Sequence, residues 1–407
     1  MLLIKNGEIY TPEYIGRKDV LICGGQIELV EEEIRDVPKQ CRVIDGSGKS
    51  VIPGLIDKHV HITGGGGEGS FHTRTPEVQM SEMITAGITT AVGLLGTDSV
   101  TRSPENLLAK TKALNEEGVT AYMLTGAYGY PGPTLTGSVY RDIVLIQEVI
   151  GVKLALSDHR APNVTTDELI RLASDARVAG MLSGKAGYVE LHMGDAKSGL
   201  SPVLEAIERT AIPAKIFHPT HLNRNRQLLE ESYQLLELGG YVDYTCGMTG
   251  QAEPSSCIME ARDKKLAADH ITISSDGHGS WSKYDEAGSL LEIGYSKIDA
   301  IYLELKKLVQ KEGLTLEEAL PFVTSNVAKA IEVYPKKGCI RPGTDADVVL
   351  LGQEFEIDTV IAKGQIMMES GKLCKAGTYE KLPDDCRCSQ KWRNWPEEDR
   401  LPSWLQR

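Results

Sequence analysis

The sequence predicts an α/β protein, a (β/α)8 TIM-like barrel joined to a small β-sandwich domain built from both chain ends. Three observations carry this prediction. Short β-branched or apolar runs alternate with longer helical stretches through the middle of the chain, Gly-punctuated strand patterns occupy both ends, and ligand-type side chains stand where several central runs stop. Alternation of strand and helix is the order of a parallel sheet, because each parallel crossover needs a connection long enough to hold a helix. Eight such units in about 280 residues suit a closed barrel.

Residues 1–52 are expected to form the first part of the β domain. There "LLIKNGEIY", "DVLICGGQIELV" and "RVIDGSGKSVIPG" read as strands, with Asn6-Gly7 and Gly24-Gly25 as hairpin turns. The barrel is expected over 53–335, with strands at Val51 to His59, Thr89 to Leu95, Thr120 to Thr125, Val152 to Leu156, Tyr188 to His192, Lys215 to His218, Tyr241 to Thr245 and Ile271 to Ser274. Between them "PENLLAKTKALNEEG", "DELIRLASDARVAG" and "LLEESYQLLELGG" read as helices, each stopping near Gly as helix C-termini often do. Strand patterns with Gly turns return in "GCIRPGTDADVVLLG", "IDTVIAKGQIMMES" and "GKLCKAGTYEK", so 336–380 is expected to complete the β domain. Residues 381–407 are rich in Pro, charge and Trp without a clear period. They read as a tail, either mobile or docking Trp392, Trp395 and Trp404 on a neighbouring surface.

A doubly wound open sheet also alternates strand and helix. Gly64 to Gly67 lacks the G-x-G-x-x-G spacing running straight into a helix, so nucleotide binding is not expected. The formal net charge of −13 would repel a phosphate backbone, and nucleic acid is not an expected partner. The N-terminus lacks a basic stretch followed by a long apolar one, and no run of about 18 apolar residues occurs, so a cytoplasmic protein without a membrane span is expected. Eight scattered cysteines fit free thiols better than a disulfide framework. The one close pair, Cys386 and Cys388, has a spacing unlike that of zinc knuckles.

The chemistry begins at "GLIDKHVHITGGGGEG". Strand side chains repeat every second residue, so His59 and His61 face one way at the C-terminal end of the first barrel strand, where barrels carry their active sites. Two imidazoles there make half of a metal site. His192, His221 and Asp276 supply further ligand types where later apolar runs stop. Singly, each reads equally well as a buried histidine or a turn cap; five together point to a metal. Lys153 lies inside an apolar run, where an ammonium is costly. Near two cations its pKa would fall, and the neutral amine could add CO2 to give a carbamate with two bridging oxygens. The other reading is a lysine that pairs with an acid or snorkels outward.

His59-x-His61, Lys153, His192, His221 and Asp276, in that order on successive strands, resemble the binuclear amidohydrolase superfamily, as do "PGLIDKHVH" and "GCIRPGTDADVVLL". Within it, "HITGGGGEG", "TRTPEV", "GLLGTDS", "LLAKTKALNEEG", "MLTGAY", "HLNRN" and "ISSDGHGS" are similar to the isoaspartyl (β-aspartyl) dipeptidase family. The resemblance implies hydrolysis of dipeptides linked through the aspartate side chain, clearing a product of protein damage. It implies two divalent ions, zinc foremost, one held by His59 and His61 and the other by His192 and His221. Carboxylated Lys153 would bridge them, and Asp276 would bind metal and handle the proton of a bridging hydroxide. Tyr128 would donate to the developing oxyanion. Arg160 and Arg224 would grip the two substrate carboxylates, Glu68 the α-ammonium, and Ser280, Thr97 and the Gly66 backbone would complete the pocket. The glycines would let a loop fold tightly over the site. The family forms higher homo-oligomers, and the resemblance suggests an octamer.

Parts of "GYPGPTLTGS" after Tyr128 and of "CGMTGQAEPSSC" depart from the family pattern, and the tail is additional. Two rivals stand beside this reading. A cyclic amidohydrolase of the dihydropyrimidinase or dihydroorotase type would use the same ligands, but its ring substrate has no α-ammonium for Glu68. A catalytically silent barrel would have lost a ligand, and none is missing.

Overall fold

The computed structural model describes residues 1–161, 164–247, 252–285 and 289–380. Five strands come first: β1 (Leu2–Tyr10), β2 (Tyr14–Cys23), β3 (Gln26–Glu31), β4 (Arg42–Asp45) and β5 (Ser50–Pro53). Gly24-Gly25 makes the β2–β3 turn, as expected. Asn6-Gly7 does not turn the chain. It sits inside β1 as an irregularity between Ile4 and Gly7, where the left-handed Asn6 (φ 57°) absorbs an extra residue and donates its N–H to Asp19.

The expected first barrel strand, Val51 to His59, is two strands in two sheets. β5 pairs with β1, while β6 (Leu55–Val60) pairs with β7 (Ile88–Gly93). The switch falls at Gly54, whose N–H donates to Asp347 O while Leu55 N–H donates to Gly87 O. Parallel strands then follow in order: β8 (Thr120–Gly126), β9 (Val149–Leu156), β10 (Tyr188–Met193) and β11 (Phe217–Thr220). β6 to β11 form one six-stranded sheet, and β12 (Val242–Thr245) pairs with β13 (Ile271–Ser274). β11 packs on β12, β13 packs on β6, and a backbone bridge joins Val60 to Gly277. The parallel strands therefore curl round on themselves, with helices outside.

Those helices form where the sequence caps them. In α1 (Met80–Thr85) Gln79 and Glu82 make a capping box. α2 (Pro104–Glu117) starts on Ser103, whose hydroxyl accepts from Asn106 N–H, and ends on left-handed Gly118. α3 (Val139–Leu145) starts on Ser138. α4 (Thr166–Ser183) has a Thr165/Glu168 capping box and buries Leu169, Leu172, Ala173, Ala176, Ala179 and Gly180, a stripe at helical spacing. It runs through Gly180, where the sequence pattern suggests a stop, because Gly180 packs against Gly187; Gly184 ends it instead.

After β13, β14 (Ser280–Tyr284) and β15 (Leu290–Tyr295) make an antiparallel pair beside the strand ends. β16 (Val348–Leu351), β17 (Ile357–Ala362), β18 (Gln365–Glu369) and β19 (Lys372–Leu373) then join β1 to β5 in one nine-stranded sheet, with β16 against β5. Both chain ends thus share a sheet. Its core includes Ile4, Ile9, Val20, Ile27, Val51, Val348 and Ile361. Burying each such side chain contributes about 1.5–3 kcal/mol relative to leaving it exposed. No helix among the described residues is long and apolar enough to cross a membrane. The tail from residue 381, with its Trp and Cys residues, lies outside the described residues.

Candidate active site

The parallel strands, at or just past their C-terminal ends for all but mid-strand Lys153, place six side chains together. His59 leaves β6 with His61 just beyond it; Lys153 comes from β9, His192 from β10, His221 follows β11 and Asp276 follows β13. Ligand atoms of His59, His221 and Asp276 lie within 4.8 Å of one another, all buried. Lys153 Nζ is 2.9 Å from His59 Nε2. Asp276 Oδ1 is 3.1 Å from His61 Nε2 and 3.6 Å from His59 Nε2. The His192 and His221 rings meet edge to face at 4.4 Å. His221 (φ 63°) and Asp276 (φ 51°) both hold left-handed backbone, a costly conformation that aims them into the cluster. Gly279 makes room for the second: a Cβ there would stand 2.4 Å from Asp276 Oδ1.

Each ring is fixed from behind by groups that sequence reading did not single out. His59 Nδ1 faces Glu190 Oε1 at 2.8 Å, His192 Nε2 faces Asp158 Oδ2 at 3.0 Å, and His221 Nδ1 faces Thr245 Oγ1 at 2.7 Å. The available signal was a charged or hydroxyl residue inside an otherwise apolar strand run, at Lys58, Glu190 and Thr245. These contacts leave Nε2 of His59 and of His221 facing the cluster, while the other nitrogen of His192 meets Tyr128 OH. His221 Nε2, His61 Nδ1 and Asp276 Oδ1 are buried without a hydrogen-bond partner. Unpartnered buried polar atoms of this kind, all nitrogen or carboxylate oxygen, are the donor set a divalent ion needs.

Electrostatics point the same way. Burial holds His59, His192 and His221 well below the usual imidazole range, with nearby cations adding to it, so all three are neutral. At His192 burial and the cations outweigh the opposing pull of Asp158. Burial brings the Lys153 ammonium down to about 8, against the upward pull of Glu190 and Asp276. Burial acts to raise Asp276, but the close approach of His61 at 3.1 Å and the Lys153 charge win and its carboxyl falls below the usual range. Tyr128 is pushed up by burial despite Arg160, so it stays a protonated donor; its OH is 2.9 Å from His192 Nδ1.

A second, polar constellation borders the first. Gly64 to Gly67 follow His61 in a tight loop that folds back on itself through a bridge between Gly66 and Arg74. At Gly66 (φ +79°) a Cβ would stand 2.4 Å from Thr73 O. Thr75 Oγ1 accepts from Gly65 N–H and donates to His278 O, both at 2.7 Å, tying the loop to the turn that carries Asp276. The loop delivers Glu68, which accepts from Ser280 Oγ at 2.9 Å and Thr97 Oγ1 at 3.3 Å, and lies 3.4 Å from Arg160 Nη1. Arg160 also contacts Asp158 at 2.8 Å and lies over the Tyr128 ring at 5.3 Å. Arg224 pairs with Asp195 at 3.4 Å, and its charge reaches His192 and His221. Gly66, Glu68 and Thr97 line one cavity beside this loop.

With this geometry in place, the relatives are informative. Residues 50–367 match the amidohydrolase family. The chain belongs to the amidohydrolase family. It is similar to the β-aspartyl dipeptidase of Fervidobacterium islandicum AW-1, solved in complex with β-Asp-Leu dipeptide, at 42% identity over 94% of this chain and 98% of that one, with a TM-score of 0.88. It is also similar to the L-hydantoinase of Paenarthrobacter aurescens, at 23% identity over 94% of this chain and 91% of that protein. The D-hydantoinase of a Thermus species shares the fold, with a TM-score of 0.67 at 16% identity over 94% of this chain and 98% of that one.

Proposed function

We propose that this amidohydrolase is a metal-dependent dipeptidase that cleaves β-aspartyl (isoaspartyl) dipeptides. The observation that carries the reading is the Glu68–Arg160 pair at the edge of the histidine cluster: an anion and a cation that satisfy each other at 3.4 Å until a zwitterion separates them. An isoaspartyl unit brings an α-ammonium for Glu68 and an α-carboxylate for an arginine. The likeness to a β-aspartyl dipeptidase holding β-Asp-Leu supports the same substrate class.

His59 and His61 would hold one ion, His192 and His221 the other, with Lys153 between them and Asp276 on the first. Zinc suits this mixture of imidazole and carboxylate. When bound, the ions lower the pKa of a water and polarise the scissile carbonyl. Lys153, with its ammonium brought to about 8, has an accessible neutral form that adds CO2 and loses a proton to become a carbamate. Asp276, ionised, accepts the proton of the attacking water and returns it to the leaving amine nitrogen. Tyr128 donates to the oxyanion as it develops. Arg160 and Arg224 hold the two carboxylates, and Thr97, Ser280 and the Gly66 backbone hold Glu68 and the aspartyl unit in register. The wider reading is a (β/α)8 catalytic barrel over 53–335, a β-sandwich from 1–52 and 336–380, and a cytoplasmic homo-oligomer that clears isoaspartyl peptides.

Glu68→Ala tests the assignment. It removes the ammonium partner and not the metal ligands, so β-Asp-Leu cleavage falls by about 10- to 150-fold, the worth of one charge-assisted hydrogen bond, while metal content stays at the wild-type level. Turnover of dihydrouracil by the wild type without β-Asp-Leu cleavage would replace this reading with a cyclic amidohydrolase.

A further inference from the structure

Glu190 sits on β10 two residues before His192, behind the His59 ring. Its Oε1 is 2.8 Å from His59 Nδ1, and Lys58 Nζ donates to both its oxygens at 2.8 and 2.9 Å. All three side chains are at most 1% exposed. Lys58 Nζ also lies 3.7 Å from Asp243 Oδ1, and Asp243 accepts from Thr220, Thr272 and Ser274.

Neighbouring residues of a strand normally face opposite ways. Here β6 bulges: Asp57 pairs with Ala91 and Val60 with Gly93, three steps against two. The extra residue lets Lys58 and His59, adjacent in sequence, both reach Glu190. Stability does not account for the arrangement, because buried ion pairs rarely outperform apolar packing of the same volume. Orientation does. A carboxylate only accepts hydrogen bonds, so the proton of the neutral His59 ring sits on Nδ1 and the Nε2 lone pair faces Lys153 and Asp276.

We infer that Glu190, clamped by Lys58, is a positioning residue that fixes the tautomer and direction of His59 and thereby sets the divalent-metal affinity of the site. The inference rests on the metal-centre reading above. Groups that orient metal-bound histidines typically govern about 10- to 100-fold in affinity.

The test uses the full chain, stripped of metal and titrated with zinc against a chromophoric chelator. Lys58→Met with Glu190→Leu removes both charges together and leaves His59 in place. The expected result is zinc affinity lowered about 10- to 100-fold, with the metal-free double variant still unfolding cooperatively, at a lower temperature because buried Asp243 loses its Lys58 partner. Glu190→Gln, whose amide oxygen still accepts from Nδ1, should lose affinity only near the tenfold end of that range, and it decides the matter alone if the double variant does not fold. Wild-type zinc affinity in whichever variant folds would overturn the inference. A wild-type protein that takes up no zinc would overturn the metal-centre reading itself, and the two failures are thus told apart.

Discussion

Single residues here are read through what touches them. The strand-end rule brings out His59, His61, His192, His221 and Asp276 from sequence because each stands where an apolar run stops, while Lys153 stands out as an ammonium inside such a run, and the structure brings their side chains together. Glu190 and Thr245 inside their strands and Asp158 just past β9 escape it, since an acid or hydroxyl at such a place does not name its partner, which lies 24 to 131 residues away. Tyr128 yields a prediction at this scale. Tyr128→Phe removes one oxyanion donor without moving the ring, so kcat for β-Asp-Leu should fall about 10²- to 10³-fold with little change in KM. A raised KM at unchanged kcat would place Tyr128 in ground-state binding instead. Because burial raises its pKa, loss of the Tyr128 proton should leave no alkaline limb below about pH 10, its ordinary value, in the rate profile.

At the scale of elements, the glycine loop and the β6 bulge matter most. Sequence shows that four glycines follow the His pair but not what anchors them. The anchor is Thr75, whose buried hydroxyl serves Gly65 N–H and His278 O together. Thr75→Val keeps the shape and removes both hydrogen bonds of the hydroxyl, leaving only the direct bond from Gly65 N–H to His278 O at 3.1 Å, which should cost about 1–3 kcal/mol in urea unfolding and raise KM for the dipeptide by loosening Glu68. Bound metal, measured by elemental analysis, should not change; loss of metal would mean the loop supports the histidines directly. The bulge was invisible because periodicity gives strand faces, not an added residue. The same blindness merged β5 with β6 and read Asn6-Gly7 as a hairpin turn, for which only the pairing partners could decide.

Across the whole molecule, alternation was enough to give the parallel α/β order and the shared sheet of the two ends, because hydrophobic burial imposes both patterns on sequence. Stability should carry a signature of buried neutral histidines. His218 stacks on Tyr188 at 4.2 Å, donates from Nε2 to Lys215 O, and burial lowers its pKa to about 3. Below an unfolded value of about 6.5 the unfolded chain takes up a proton that the folded one refuses. This contribution is therefore present at neutral pH and is lost as pH falls from about 6.5 towards 3. His218→Phe keeps the stack and should flatten the pH dependence of urea unfolding of the metal-free protein across that window; an unchanged slope would show that His218 is charged in the fold. Chelation with EDTA should lower the unfolding temperature and zinc should restore it, since an ion that binds only the folded chain stabilises it by mass action.

The most direct measurement is leucine release by the metal-loaded protein from β-Asp-Leu and from α-Asp-Leu at equal concentrations. Turnover of the β-linked dipeptide with none of the α-linked one is the predicted result, because only the side-chain linkage places the scissile carbonyl at the histidine cluster while Glu68 and Arg160 hold the α-ammonium and α-carboxylate. Equal cleavage of both, or cleavage of neither with metal in place, would contradict the account.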